Sequence, residues 1–214
     1  MSTRPVVMGV LNVTPDSFSD GGLFIEPEAA VAHAEALAAA GADIIDVGGE
    51  STRPGADRTS LAQEGDRTIP VVSALVRAGL TVSIDTMRSE VASRAVEVGA
   101  AYINDVSGGL ADPRMAATAA QAGVDVILMH WRGHSRDMQQ RAHYEDVTAE
   151  VIAELSERVG EFVHAGVDLE RIIIDPGLGF AKSFEHNWRL IATLPEIRTQ
   201  GHRVIGSTSR KGLL

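Results

Sequence analysis

The chain has 214 residues, 44% of them hydrophobic and 22% charged, enough to bury the core of one domain of the larger sort. A formal charge of −10 argues against a polyanion such as nucleic acid as partner, and the lack of any cysteine excludes a disulfide framework and a thiolate metal site. The same lack fits a reducing cytosol, no apolar run is long enough to span a bilayer, and no signal-peptide layout is present, so a cytoplasmic protein without a membrane partner is expected.

In chain order, the apolar run at 6–10 reads as a first strand, and the turn-rich "NVTPDSFSDGG" after it reads as a long loop over 11–26. A helix over 27–40 opens on Pro27, where a missing N–H is tolerated, and ends before Gly41. A strand at 43–47 leads into "GGESTRPGADRTS", a second long loop, and then a helix over 61–79. Strands at 81–85 and 101–105 flank a helix over 88–98, and a helix over 112–122 begins after the capping triplet "ADP". A strand at 125–129, a helix over 145–165, a strand at 171–175, a helix over 184–199 and a strand at 203–207 complete the pattern.

The repeated phrase is a helix, an Ala-Gly or similar turn, then a short Val/Ile-rich run ending in a polar residue, as in "AAAGADIIDVGG" and "VRAGLTVSIDT". Such runs lack polar alternation, so they read as parallel strands buried on both faces. Alternating βα units leave an open doubly wound sheet or a TIM (β/α)8 barrel. Asp46, Asp85, Asn104, Asp175 and Ser207 all fall at C-terminal strand ends, and polar groups from that many strands share one rim only if the sheet closes. The expected fold is therefore α/β, a TIM barrel in one domain over 1–214, with seven strands present and the eighth missing. A typical barrel of this kind runs to about 250 residues, so the natural chain is expected to continue for one more βα unit.

The two long loops and the strand-end acids mark the site. Asp85, Asn104 and Asp175 suit a heterocycle rich in N–H donors, because a carboxylate accepts two N–H bonds from an amidine-like edge. Arg53, Arg210 and Lys211 supply local positive charge for an anion, and loops after the seventh strand of this fold often bind phosphate. In "HWRGHSRD", His130 and His134 stand four apart, but Gly133 and the polar surroundings read as loop rather than as a zinc-binding helix. There is no GxGxxG after the first strand, no P-loop and no HExxH.

Seven motifs then carry a resemblance that covers essentially the full length. They are "MGVLNVTPDSFSDGG" (8–22), "DVGGESTRPGA" (46–56), "SIDT" (83–86), "NDVSGG" (104–109), "LMHW" (128–131), "DPGLGF" (175–180) and "SRK" (209–211). Their order and spacing resemble those of bacterial dihydropteroate synthases. That resemblance implies condensation of 6-hydroxymethyl-7,8-dihydropterin pyrophosphate with p-aminobenzoate in folate biosynthesis, with Mg2+ as cofactor, sulfonamides as competitors and a homodimeric assembly. It implies that Asp85, Asn104 and Asp175 meet the pterin N–H groups and that Met129 packs on the ring. Lys211 would hydrogen-bond the pterin and border p-aminobenzoate. Thr52 and Arg53 would meet pyrophosphate or the second substrate, and Phe18, Pro54, Phe180 and Ser209 would frame p-aminobenzoate. Asn12 would hold Mg2+ and pyrophosphate, and Asp20 would face developing positive charge, which makes Asp20, Asp85 and Lys211 the catalytic expectation. Three departures stand out. Ser207 occupies a position where the family usually has Gly, Leu213 stands where an aromatic is common, and the chain stops before the family's eighth-strand Arg-x-His. Two other functions fit parts of the pattern: a non-catalytic or weakly active pterin-binding paralogue, and a methyltetrahydrofolate methyltransferase, which needs the pterin acids but not "TRPG" or "SRK".

Overall fold

The first strand, β1, runs Met8–Asn12, two residues later than its apolar run suggests. The cause lies at Val7, whose N–H is taken by the Asp43 carboxylate at 2.9 Å while Arg4 pairs with the same acid, so Val6 and Val7 stay exposed before the ladder begins. The computed structural model describes residues 4–14, 27–50, 59–133, 141–198 and 201–207. The described residues up to Asn104 form one compact unit and those from Asp105 onward form a second.

In the first unit, β1 is followed by α1 (Pro27–Ala39), β2 (Ile44–Gly48), α2 (Leu61–Arg77), β3 (Val82–Asp85), α3 (Ser89–Glu97) and β4 (Tyr102–Asp105). β1 pairs with β2, β2 with β3 and β3 with β4, all parallel. α2 starts where Ser60 accepts the Gln63 N–H while the Gln63 side chain accepts the Ser60 N–H, a capping box. Val47, Val82, Ile84 and Ile103 from the strands and Ala34, Val72, Leu75, Val91 and Ala95 from the helices are buried. Aliphatic side chains make up this core, as suits a chain with only 4% aromatics.

In the second unit, α4 (Met115–Ala122) leads to β5 (Asp125–Met129), α5 (Val147–His164), a 3-10 turn at Leu169–Arg171, β6 (Ile172–Asp175), α6 (Phe184–Ala192), α7 (Leu194–Arg198) and β7 (Arg203–Val204). β5 pairs with β6 and β6 with β7, again parallel. Val126, Leu128, Ile172, Ile174, Leu155, Phe162 and Leu190 fill its core. The largest differences from the sequence pattern fall at α4, α6 and β7. α4 begins at Met115 because Asp112 makes a turn of its own, accepting the Arg114 N–H at 3.0 Å. The helix expected over 184–199 breaks at Thr193, since Pro195 has no N–H to continue the ladder. β7 is two residues long, followed by one further ladder bond from the Ile205 N–H to the Ile174 carbonyl at 3.0 Å, and Ser207, at the end of the expected strand, donates its hydroxyl to Asp175. No helix among the described residues is long and apolar enough to cross a membrane.

Candidate active site

In the first unit the site follows from strand register. Asn12 is paired with Gly48, Gly48 with Asp85, and Asp85 with Asn104, so one row across four strand ends carries two amides and a carboxylate. Side chains two apart on a strand share a face, so the next layer of that same face is Val10, Asp46, Ser83 and Tyr102. Gly48 leaves the row open, because a Cβ there would sit 3.2 Å from Asp85 Oδ2 and 3.5 Å from Asn12 Oδ1. Under the row, Asp46 is 4% exposed and accepts the Asn104 Nδ2–H at 2.9 Å. That bond turns the Asn104 carbonyl oxygen toward the other side as an acceptor. Burial pushes the Asp46 carboxyl above its usual range, opposed by the Ser83 hydroxyl and the Asn104 amide.

The adjacent residues Asn104 and Asp105 in "INDVSGG" divide their work. Asp105, fully buried in the second unit, accepts the Ser107 N–H at 2.8 Å, the Ser107 hydroxyl at 2.7 Å and the Gly109 N–H at 2.7 Å. It builds the turn, while Asn104 serves the row. Desolvation raises the Asp105 carboxyl to about 6 despite these donors.

A clamp supports the end of β2. Arg88 reaches Glu50 at 3.0 Å, the buried Glu64 and the Thr59 carbonyl, and Thr86 donates to Glu64 at 2.5 Å. Glu50 and Thr59 are the described residues on either side of 51–58, so one guanidinium ties both stems of the second long loop.

In the second unit, Met129 and Asp175 are register partners at the ends of β5 and β6, both 3% exposed. Asp175 Oδ1 accepts the Gly177 N–H at 2.7 Å and Oδ2 accepts the Ser207 hydroxyl. Burial raises the Asp175 carboxyl, and the Ser207 hydroxyl, the Gly177 N–H and the Lys182 charge oppose it. The departure at Ser207 thus places a donor directly on an expected pterin-binding acid. Phe180 is half-buried on the loop after β6. His130 is a buried partner of Lys182 and Glu154, and among the described residues no group of three or more His, Cys, Asp or Glu could hold a metal. His134 lies outside the described residues, as do Phe18, Asp20, Thr52, Arg53, Pro54, Ser209, Arg210 and Lys211.

Residue patterns did not single out Gly48, Gly177, His130 in this role, or Lys182. Lys182 left one signal: it stands just before the α6 cap Ser183, where an apolar residue commonly sits.

The profile of the pterin binding enzymes matches residues 8–214. The chain is 53% identical over 216 aligned positions to the dihydropteroate synthase of Mycobacterium leprae, covering 100% of this chain and 76% of that protein. It is similar to the Xanthomonas albilineans dihydropteroate synthase solved with 4-aminobenzoic acid (TM-score 0.89, 48% identity, 98% of this chain and 74% of that one). It is also similar to the Yersinia pestis enzyme solved with a sulfonamide drug complex (TM-score 0.91, 39% identity, 98% of this chain and 76% of that one). These likenesses carry the fold, the TIM barrel expected from the strand-end pattern, with seven of its strands in this chain. With that much identity over its whole length, the chain belongs to the dihydropteroate synthase family of pterin-binding transferases.

Proposed function

We propose that the chain catalyses its family's reaction, joining 6-hydroxymethyl-7,8-dihydropterin pyrophosphate to p-aminobenzoate to give 7,8-dihydropteroate and pyrophosphate. The observation that carries the reading, within a family member, is the in-register row of Asn12, Gly48, Asp85 and Asn104. Such a row offers fixed acceptors to the N–H edge of a pterin.

The C–O bond to pyrophosphate breaks, and the electron-rich pterin stabilises the positive methylene left behind. The arylamine nitrogen then forms the new C–N bond and gives up a proton. Carboxylates suit this sequence because they favour charge that develops on the ring, and fixed dipoles need no reorganisation during the step. Asp85 and Asn104 in the first unit, and Met129 and Asp175 in the second, take the pterin-binding roles. Phe180 and Ser209, with Phe18 and Pro54, frame p-aminobenzoate. Asp20 faces the cation, Thr52 and Arg53 meet pyrophosphate or the second substrate, and Lys211 hydrogen-bonds the pterin.

Asn12 fits a Mg2+ role. Its amide oxygen is a hard donor facing the space above Gly48, and Mg2+ commonly takes one or two protein oxygens with substrate phosphates and water. When bound, the ion would neutralise charge on the departing pyrophosphate. By family likeness the chain works as a cytoplasmic homodimer and takes sulfonamides at its p-aminobenzoate subsite.

The test is to incubate the protein with the pterin pyrophosphate, p-aminobenzoate and Mg2+, and to measure pyrophosphate and dihydropteroate. Equimolar formation of both, inhibited by a sulfonamide, is expected. Pterin binding without either product would replace this reading with that of a non-catalytic paralogue.

A further inference from the structure

The second unit holds a buried cation to which the reaction above gives no part. Lys182 is 3% exposed, and its ammonium lies 3.0 Å from His130 Nδ1 and 3.0 Å from the Phe180 carbonyl oxygen. An ammonium only donates, so Nδ1 must accept, and the neutral imidazole carries its proton on Nε2. Nε2 sits 3.0 Å from Glu154 Oε2, which takes that proton in a hydrogen bond. Burial holds the His130 ring below its ordinary titration range, and Glu154, bonded to His130 and Arg132, is drawn down to about 2. A fixed order of donors therefore runs from Lys182 through His130 to an ionised carboxylate at the surface.

The loop these groups hold is the one that carries Asp175 and Phe180. His130 N–H donates to the Asp175 carbonyl at 2.8 Å, and Gly177 packs against the His130 carbonyl so closely that a Cβ would come within 2.5 Å of it. Between Phe180 and Lys182, Ala181 is held at φ 49, a left-handed conformation that residues with a Cβ seldom adopt, and the Tyr144 hydroxyl donates to its carbonyl at 3.1 Å. The backbone is thus bent against local preference at the residue that delivers Lys182 inward.

On the functional reading above, we propose that Lys182 is a positioning residue: its buried ammonium, tied to His130 and the Phe180 carbonyl, fixes the loop that presents Asp175 and Phe180 to the substrates. The charged groups around it are Asp175 from β6, Glu154 from α5 and Arg132 after β5, with His130 neutral. Desolvation lowers the ammonium to about 7, offset by Asp175 and Glu154. Below that pH the cation is present and opposes the burial-driven rise at Asp175.

The experiment measures binding of 6-hydroxymethylpterin to the parent, Lys182→Met and Glu154→Gln across about pH 5 to 7.5, beside thermal melts and the p-aminobenzoate KM. Without the cation, Asp175 stays protonated to higher pH. Lys182→Met is therefore expected to bind about tenfold more weakly at pH 6, with its binding midpoint raised by about one unit. Its p-aminobenzoate KM should rise as Phe180 loses its anchor. Glu154→Gln, changed at a surface position, should move the midpoint in the same direction by less, and it decides the matter if Lys182→Met does not fold. A purely structural Lys182 would change melting but not the midpoint. Folded variants that keep the parent midpoint would overturn the proposal, whereas a parent that binds no pterin would overturn the functional reading instead.

Discussion

Gly177→Ala isolates how tightly the loop after β6 is packed. Gly177 sits at φ +68, and a Cβ there would lie 2.5 Å from the His130 carbonyl oxygen and 3.2 Å from Met129 Cγ. The left-handed conformation alone costs an L-residue roughly 1–2 kcal/mol. The contact with a backbone oxygen cannot be relieved by a rotamer change, so the loop must retreat by about 1 Å, and overpacking of this kind costs roughly 1–3 kcal/mol. Together these predict a loss of roughly 2–5 kcal/mol, or about 4–20 °C in Tm for a domain of this size. The retreat also draws the Gly177 N–H away from Asp175 Oδ1, now at 2.7 Å, so pterin affinity should fall as well. Gly179→Ala is the matched control: φ is +84, but nothing lies within 4 Å of its Cβ, so only the conformational part remains. Circular dichroism melts and fluorescence titration with a pterin would read both effects. A Gly177→Ala protein that melts with the Gly179→Ala protein and binds pterin like the parent would refute the reasoning.

Ala181→Gly removes the left-handed penalty at φ 49 and should raise stability by up to about 1 kcal/mol after the entropy of the unfolded glycine is set against it; a drop of similar size in chemical denaturation would show that φ is not strained. Arg88→Met leaves Glu64, 1% exposed, without its cation, and breaking a buried pair from one side predicts a loss of roughly 3–5 kcal/mol by urea unfolding, with a loss under about 1 kcal/mol counting against the clamp. Asp85→Asn should weaken pterin binding about tenfold or more while melting changes little, and unchanged affinity would remove Asp85 from the site. Ser207→Gly deletes a donor that favours the charged form of Asp175, so its pKa should climb and pterin binding should weaken more at pH 6 than at pH 7.5; a uniform change at both pH values would contradict this.

The legible part of the chain was what repetition and polarity could express. Each Val/Ile run ending in Asp, Asn or Gly formed a strand, and the side chains at those ends, Asn12, Asp85 and Asn104, fell into one row because parallel strands in register bring equivalent positions together. Less legible was anything set by non-local contact. Val6 and Val7 have strand-like side chains, yet Asp43, more than thirty residues away, takes the N–H that would have extended β1. Asn104 and Asp105 look interchangeable in "INDVSGG", but adjacent strand residues face opposite sides, so one joins the row and the other builds a turn. Gly48 and Gly177 matter for what a Cβ would strike, and the struck atoms belong to other strands and loops.

Lys182 shows why buried charge was the hardest feature to foresee. A lysine before a helix cap reads as a solvated surface residue, since lysine is almost never fully buried without a partner. Here the partner is a neutral histidine, which no charge-pattern reading would select, and the compensating carboxylate, Glu154, is one imidazole further away. The arrangement opposes stability near neutral pH. The lysine's folded pKa of about 7 lies below its unfolded 10.5, so between those values the unfolded chain binds more protons and stability rises with pH. At pH 7 and below, the folded protein carries that burden in full, and Lys182→Met should remove both the burden and the upward slope. A charge this costly, held on the Phe180 carbonyl in the loop after β6, is accounted for by the positioning role proposed above rather than by a gain in stability.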